Sequence, residues 1–232
     1  MKYILSILVL VVAFAASAQA EAAQDSIPFE LRKQAYIYTL AKKYNDPEVA
    51  RMALYNLIAM SPGSSALLDS LSLVYYDYQQ YASAAIVAQD AQKIDPNDMF
   101  AVEVAAVAFD NLGVKQRAVN NYEKLYLANN DLGTLYKVAF LQLDLKRYGE
   151  AINNADIIIE SPKSDAMKLL FPVGQKGATQ EISLKAATVR LKGMVEEDRG
   201  NTSLARELFQ KALEMEPKFE MLQQQIAEMD KK

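Results

Sequence analysis

Residues 81–98 read Tyr-Ala-Ser-Ala-Ala-Ile-Val-Ala-Gln-Asp-Ala-Gln-Lys-Ile-Asp-Pro-Asn-Asp. Ala84, Ala88, Ala91 and Ile94 share one face at helical spacing, and Asp95-Pro96-Asn97-Asp98 ends the run. Proline cannot continue a helix, and it biases the residue before it toward extended geometry. The Asn and Asp beyond it are suited to cap the next helix by accepting its free N–H groups. Outward from Ala84, the same small residue returns at Ala50 and Ala118, each 34 residues away. Ala151 follows 33 residues later, and Ala205 after a longer gap. Pro62, Pro96, Pro162 and Pro217 lie 11 or 12 residues beyond four of these five alanines. A fixed period of this length marks an array of stacked helix pairs, built more often for binding other chains than for catalysis.

Aligned on the alanines, the chain divides into units at 31–64, 65–98, 99–131, 132–163 and 186–219. The first half of the second unit carries Leu68, Leu71 and Tyr75 on one face, with Ser72 beside them. The third repeats this with Val102, Ala105, Ala106 and Phe109, then Ala118, Tyr122 and Leu125. The fourth has Leu135, Val138 and Ala139, then Tyr148, Ala151, Ala155 and Ile158. The fifth has Val189 and Gly193, then Ala205, Phe209, Ala212 and Met215. The first is most degenerate in its leading helix, with Ile37 and Ala41, and regular in its second, with Ala50, Leu54, Leu57 and Met60. Ser72, Ala106, Ala139 and Gly193 are small where the two helices of a pair cross, facing the recurring alanine. A longer side chain there would push the helices apart. After the last unit, Phe219, Leu222, Ile226 and Met229 form an apolar stripe with a polar back, the pattern of a capping helix over 218–230.

This pattern resembles the tetratricopeptide repeat family, over residues 31–163 and 186–219. It departs from the family in having no tryptophan at the fourth position of any unit, and glycine at the turn only as Gly113 and Gly200. The resemblance implies an all-α fold: a right-handed superhelical array of about five helix pairs, with the capping helix and one insertion. Exported bacterial members can carry a β-hairpin before the last repeat, so the resemblance extends to that type.

The insertion is where the period breaks, at 165–185. Met167 to Val173 is apolar and roughly alternating, Gly174-Gln175-Lys176-Gly177 is a turn, and Ala178 to Leu184 alternates again. Two alternating runs across a short Gly-flanked loop predict a β-hairpin, with Pro172 confining its strand to an edge or an end. It either packs Leu169, Phe171 and Ile182 on the helices or offers an edge to a partner or a second copy. In the second case the chain can form an oligomer through the hairpin.

The N-terminus has its own character. Lys2 precedes an apolar run from Ile4 to Ala15, and Ala18-Gln19-Ala20 supplies the small residues a signal peptidase needs. Residues 1–20 therefore read as a secretory signal, cleaved near Ala20, with 21–27 as a flexible lead-in and 28–232 as the repeat domain. The formal charge of −4 becomes −5 once Lys2 is removed. The expected product is periplasmic or secreted, with no stable membrane span after cleavage. Without cysteine the fold needs no disulfide and has no lipid-attachment site. Mild acidity without a basic cluster argues against nucleic acid.

Histidine and cysteine are both absent, which removes the usual general base, the common nucleophile pair and the main zinc ligands. No Gly-rich phosphate loop occurs, and Asp95, Asn97 and Asp98 lack the spacing of a calcium loop. No enzyme activity, metal or cofactor is expected. The family resemblance implies instead a concave face lined by the first helix of each pair. In the middle units it places Asp69, Leu73, Tyr76, Glu103, Val107, Tyr136 and Phe140 there. An apolar floor with an acidic rim, to which Asp77, Asp110 and Asp144 add, is a common build for a binding surface. The expected function is that of a protein-interaction scaffold holding a peptide segment or protein partner, in cell-envelope assembly or export. The alternatives are a glycan- or peptide-binding module of nutrient uptake and a self-associating structural protein.

Overall fold

A computed structural model describes residues 27–174 and 177–231. The expected signal sequence, most of the lead-in and the centre of the hairpin turn lie outside the described residues. Eleven helices and one two-stranded sheet are formed by the residues described. The first four pairs are α1 (Phe29–Lys43) with α2 (Pro47–Met60), α3 (Ser65–Asp77) with α4 (Tyr81–Ile94), α5 (Met99–Asn111) with α6 (Lys115–Asn129), and α7 (Leu132–Asp144) with α8 (Tyr148–Glu160). Strands β1 (Lys168–Pro172) and β2 (Thr179–Ser183) follow, then the pair α9 (Leu184–Asp198) and α10 (Thr202–Met215), and last α11 (Glu220–Met229). Each leading helix packs on its own partner and, from α3 onward, on the second helix of the pair before it.

The periodic alanines hold the pairs together. Ala84, Ala118, Ala151 and Ala205 are fully buried and Ala50 nearly so. Opposite them, Ser72, Ala106 and Ala139 are likewise buried without exposed surface. The fifth pair is tightest: a methyl group added at Gly193 would overlap the ring of the buried Phe209. The alternating small and large residues thus form one continuous seam, as close packing requires.

Helix starts follow from local hydrogen bonding. Asp46, Asp98, Asp131 and Ser183 open α2, α5, α7 and α9, each accepting from the backbone N–H three residues on. The Ser183 cap starts α9 at Leu184, two residues before the unit expected from the alanine register. Pro62, Pro96, Pro162 and Pro217 each stand two residues beyond the end of a helix. The third pair, which has no such proline, ends on Asn130 in left-handed geometry.

The turn inside each pair is the same five times. Asn45, Gln79, Gly113, Lys146 and Gly200 all have positive φ, and each lies five residues before its recurring alanine. In each turn this residue's N–H bonds three residues back, and the next residue's N–H bonds five residues back. That paired bonding is the Schellman motif, which satisfies carbonyls a helix end otherwise leaves free. Only two of the five positions are glycine, so three turns place an ordinary side chain in a conformation that disfavours it.

At the C-terminal end, α11 turns Leu222 inward and Gln223, Gln224 and Glu228 outward. Phe219 at its start is also fully buried.

Candidate functional site

In the second and third units the candidate residues lie on α3 and α5. Leu73, Tyr76, Val107 and Glu103 are all partly exposed. Tyr76 packs its ring 5.6 Å from that of Tyr81 and keeps its hydroxyl near Asn111. Burial, then the nearby Tyr81, Asp77 and Asp110, raise its pKa. Behind this floor Tyr122, from α6, fills the gap between Phe109 and Leu125. Burial holds its hydroxyl well above the ordinary tyrosine range, with Asp110, Tyr76 and Glu103 adding to the effect.

The rim is less acidic than its composition. Asp77 pairs with Lys42 at 3.4 Å, Asp110 with Lys137 at 2.7 Å, and Asp144 with Lys115 at 2.7 Å. Each pair joins neighbouring units, so the lysines that neutralise the rim also tie the units together. Asp69 carries a different signature. It lies against Asp98, and burial together with the Asp98 and Asp95 carboxylates raises its pKa to about 8. Its Oδ1 is buried without a hydrogen-bond partner. Asp98 is itself engaged in capping α5, through Ala101 N–H at 3.1 Å. Asp69 therefore holds a proton at neutral pH, and Glu103 is the one free carboxylate among the seven candidate residues.

Tyr136 and Phe140, on α7, are drawn into packing. Tyr136 touches the cluster around Ile182 and Ala186, the cluster of Leu135 and Leu184, and that of Ala139 and Leu191. Burial raises its pKa to about 12, against the pull of Arg190. Phe140, 6.5 Å from the Tyr136 ring, packs on the Ala139, Ala155 and Leu191 cluster. Leu143 is buried beside Ala151 and Val195. Arg190, which holds the position of Tyr136 in the fifth unit, is only 8% exposed. It donates to Gln225 Oε1 at 2.9 Å and lies over the Phe219 ring. Burial lowers its pKa. The floor is thus open over α3 and α5 and closes progressively from α7 to α9.

The hairpin closes it. Leu169 and Phe171 of β1 and Ile182 of β2 face the helices, and the Phe171 ring meets Phe219 edge-on at 4.8 Å. Glu216 accepts from Ser183 N–H at 3.0 Å and from Lys168 at 3.2 Å. With its amide turned to satisfy both groups, Gln180 donates to the Lys218 carbonyl at 2.8 Å and accepts from Glu220 N–H at 3.0 Å. Leu169 pairs with Ile182 and Phe171 with Gln180. The bonds Leu184 N–H to Met167 and Val173 N–H to Ala178 set the alternation along the ladder. Lys168, Leu170 and Pro172 therefore turn their main-chain groups outward. Pro172 has no N–H to offer, and lysine and proline on an edge discourage strand addition.

Two clefts border this surface. One of about 390 Å³ lies by Lys42, Asn45, Asp77 and Tyr78, and one of about 400 Å³ by Arg190, Glu197, Met221 and Met229. Leu73, Tyr76 and Val107, each half-buried, line neither cleft. No group of three Asp or Glu side chains is placed to hold a metal among the described residues. No described helix is long and apolar enough to cross a membrane.

The geometry of paired helices has close counterparts among solved structures. YrrB, described as a tetratricopeptide-repeat protein with an unusual peptide-binding site, superposes with a TM-score of 0.66 at 15% identity, over 92% of this chain and all of that one. This chain has the tetratricopeptide-repeat fold. A MamA protein matches at 0.61 and 18% identity, over 82% of this chain and 93% of its own. A tetratricopeptide-repeat protein from Parabacteroides merdae matches at 0.60 and 19%, over 84% of this chain and 70% of its own. No family model matches the sequence, and no curated protein matches it. At such identities the tetratricopeptide-repeat likeness rests on the helix-pair geometry. The sequence did not reveal that Lys42, Lys137 and Lys115 pair with the rim carboxylates, nor that Arg190 is buried. The lysines come from neighbouring units, and no in-unit spacing marks them.

Proposed function

We propose that the chain is an exported, non-catalytic interaction scaffold that holds an extended segment of a protein partner against α3, α5 and the start of α7. The observation that carries this reading is the apolar floor of Leu73, Tyr76 and Val107 beside a rim in which the Asp77, Asp110 and Asp144 carboxylates are already paired with lysines. An aromatic and aliphatic floor rewards buried apolar side chains, and a neutralised rim adds little long-range attraction. The segment it fits is amphipathic or apolar, with weak salt dependence of binding. An open face suits a polypeptide better than a small sugar, which needs an enclosed site. The neighbour with a peptide-binding site supports the same reading. Absence of histidine and cysteine from the sequence supports a non-catalytic role.

Export, and with it a role in cell-envelope assembly or secretion, rests on Lys2, the Ile4–Ala15 run and Ala18-Gln19-Ala20. Expressed in a bacterium with its full N-terminus, the mature protein should begin at Glu21. An uncleaved N-terminus would remove the export reading. The groove is tested by Leu73→Glu together with Val107→Glu. These place charges on the floor without touching a buried seam. Affinity for a partner recovered by crosslinking from envelope extract should fall at least tenfold, with helicity unchanged. Retained affinity would exclude this face.

A further inference from the structure

The two ends of the array differ. The C-terminal end is covered by α11, whose outer side is polar. The N-terminal end exposes large apolar groups: Phe29 is 68% exposed, Tyr36 64% and Tyr44 69%. On α1 the inward face is Leu31, Ala35 and Tyr38, which pack on Leu54, Leu57, Leu71 and Val74. Phe29, Lys33, Tyr36, Leu40 and Lys43 follow i, i+4, i+7, i+11 and i+14 spacing on the opposite side, and Tyr44 follows just beyond the helix end. Contiguous exposed apolar surface of this kind marks an interaction site.

The array itself shows what shape fits there. α3 packs on α2, α5 on α4, α7 on α6 and α9 on α8, so the leading helix of a pair is built to receive a helix from the N-terminal side. α1 is a leading helix with that side bare among the described residues. The charges show what chemistry fits. Glu30 is paired with Lys33 and Lys42 with Asp77, which leaves Arg32 and Lys43 without a carboxylate partner among the described residues. The end face is therefore apolar, aromatic and net positive.

We propose that this end is a docking site for an acidic amphipathic helix of a partner protein, seated on α1 where the second helix of a preceding pair would lie. Leucine or alanine of the incoming helix covers Tyr36 and Leu40, the tyrosine and phenylalanine rings wall its sides, and its flanking carboxylates meet Arg32 and Lys43. The site is separate from the groove over α3 and α5 and does not depend on it.

The probe is a 14-residue helical peptide with leucine at i, i+3, i+4 and i+7 and glutamate on its flanks, titrated by fluorescence anisotropy into the full chain. A lysine-flanked peptide of matched helicity is the control. The glutamate peptide should bind, the lysine peptide at least tenfold more weakly. Tyr36→Glu, at a residue exposed enough not to disturb folding, should weaken the glutamate peptide at least tenfold, whereas Tyr76→Ala in the groove should leave it unchanged. Equal binding of the two peptides, no binding of either, or loss with Tyr76→Ala and not Tyr36→Glu would overturn the proposal. So would sedimentation showing a dimer that Tyr36→Glu dissociates, since the occupant would then be a second copy.

Discussion

Position five of a unit is half-open at Asp69 and Glu103, yet Arg190 at the same position of the last unit is only 8% exposed. The helices around these residues are alike, and their neighbours differ. In the middle units nothing among the described residues covers the leading helices. In the last, the hairpin and α11 fold over them through Phe171, Phe219 and Gln225. Repeat position alone therefore does not decide whether a residue recognises or packs. Tyr136 sits at the boundary: its place in the unit puts it on the groove, and the hairpin encloses it.

The largest test of this difference is Phe219→Ala. Truncating a fully buried phenylalanine costs about 3–5 kcal/mol. In a repeat array that loss should stay near its site. Hydrogen exchange should quicken in β1, β2 and α9 to α11 and stay slow in α3 to α6. Uniform loss of protection would mean the two regions are one unit. Next in size is Gly193→Ala, which forces a methyl into the Phe209 ring and should cost about 1–3 kcal/mol by urea denaturation. At the same seam position in the second unit, Ser72→Ala loses only the hydroxyl bond to the Asp69 carbonyl, at about 1 kcal/mol.

How far the sequence reached follows the same division. The seam was readable because an alanine where two helices cross has no substitute of larger size, so the period survives in every unit. The hairpin was readable from alternation and from Pro172. The five turns were only half readable, since Asn45, Gln79 and Lys146 carry left-handed geometry that glycine would normally signal. Much of the site was not readable. Lys42, Lys137 and Lys115 reach carboxylates in adjacent units, and the enclosure of Tyr136 depends on a hairpin more than 30 residues further along the chain. Such contacts leave no spacing within a unit.

Two smaller effects sharpen the picture of the middle units. Asp69 has a pKa of about 8 in the fold, above its ordinary value near 4. A raised pKa means the folded state holds the proton more tightly than the unfolded one. That stabilisation is complete below about pH 4 and is lost as pH rises through about 8. Thermal midpoints should therefore fall between pH 5 and 9, and Asp69→Asn should flatten the fall. A profile the same in both proteins would remove Asp69 as its source. Smallest is Lys146→Gly, which relieves left-handed strain at one turn and should gain about 0.5–1 kcal/mol in urea denaturation.

The most direct measurement places a photo-crosslinking residue at Val107 and, separately, at Met194. Both are half-buried at position nine of their units; Val107 lies on the floor, whereas Met194 packs against the cluster that contains Ala205 and Phe209. In the cell envelope, the account predicts a discrete crosslinked partner from Val107 and none from Met194. Equal crosslinking at both, or a partner caught only at Met194, would contradict it.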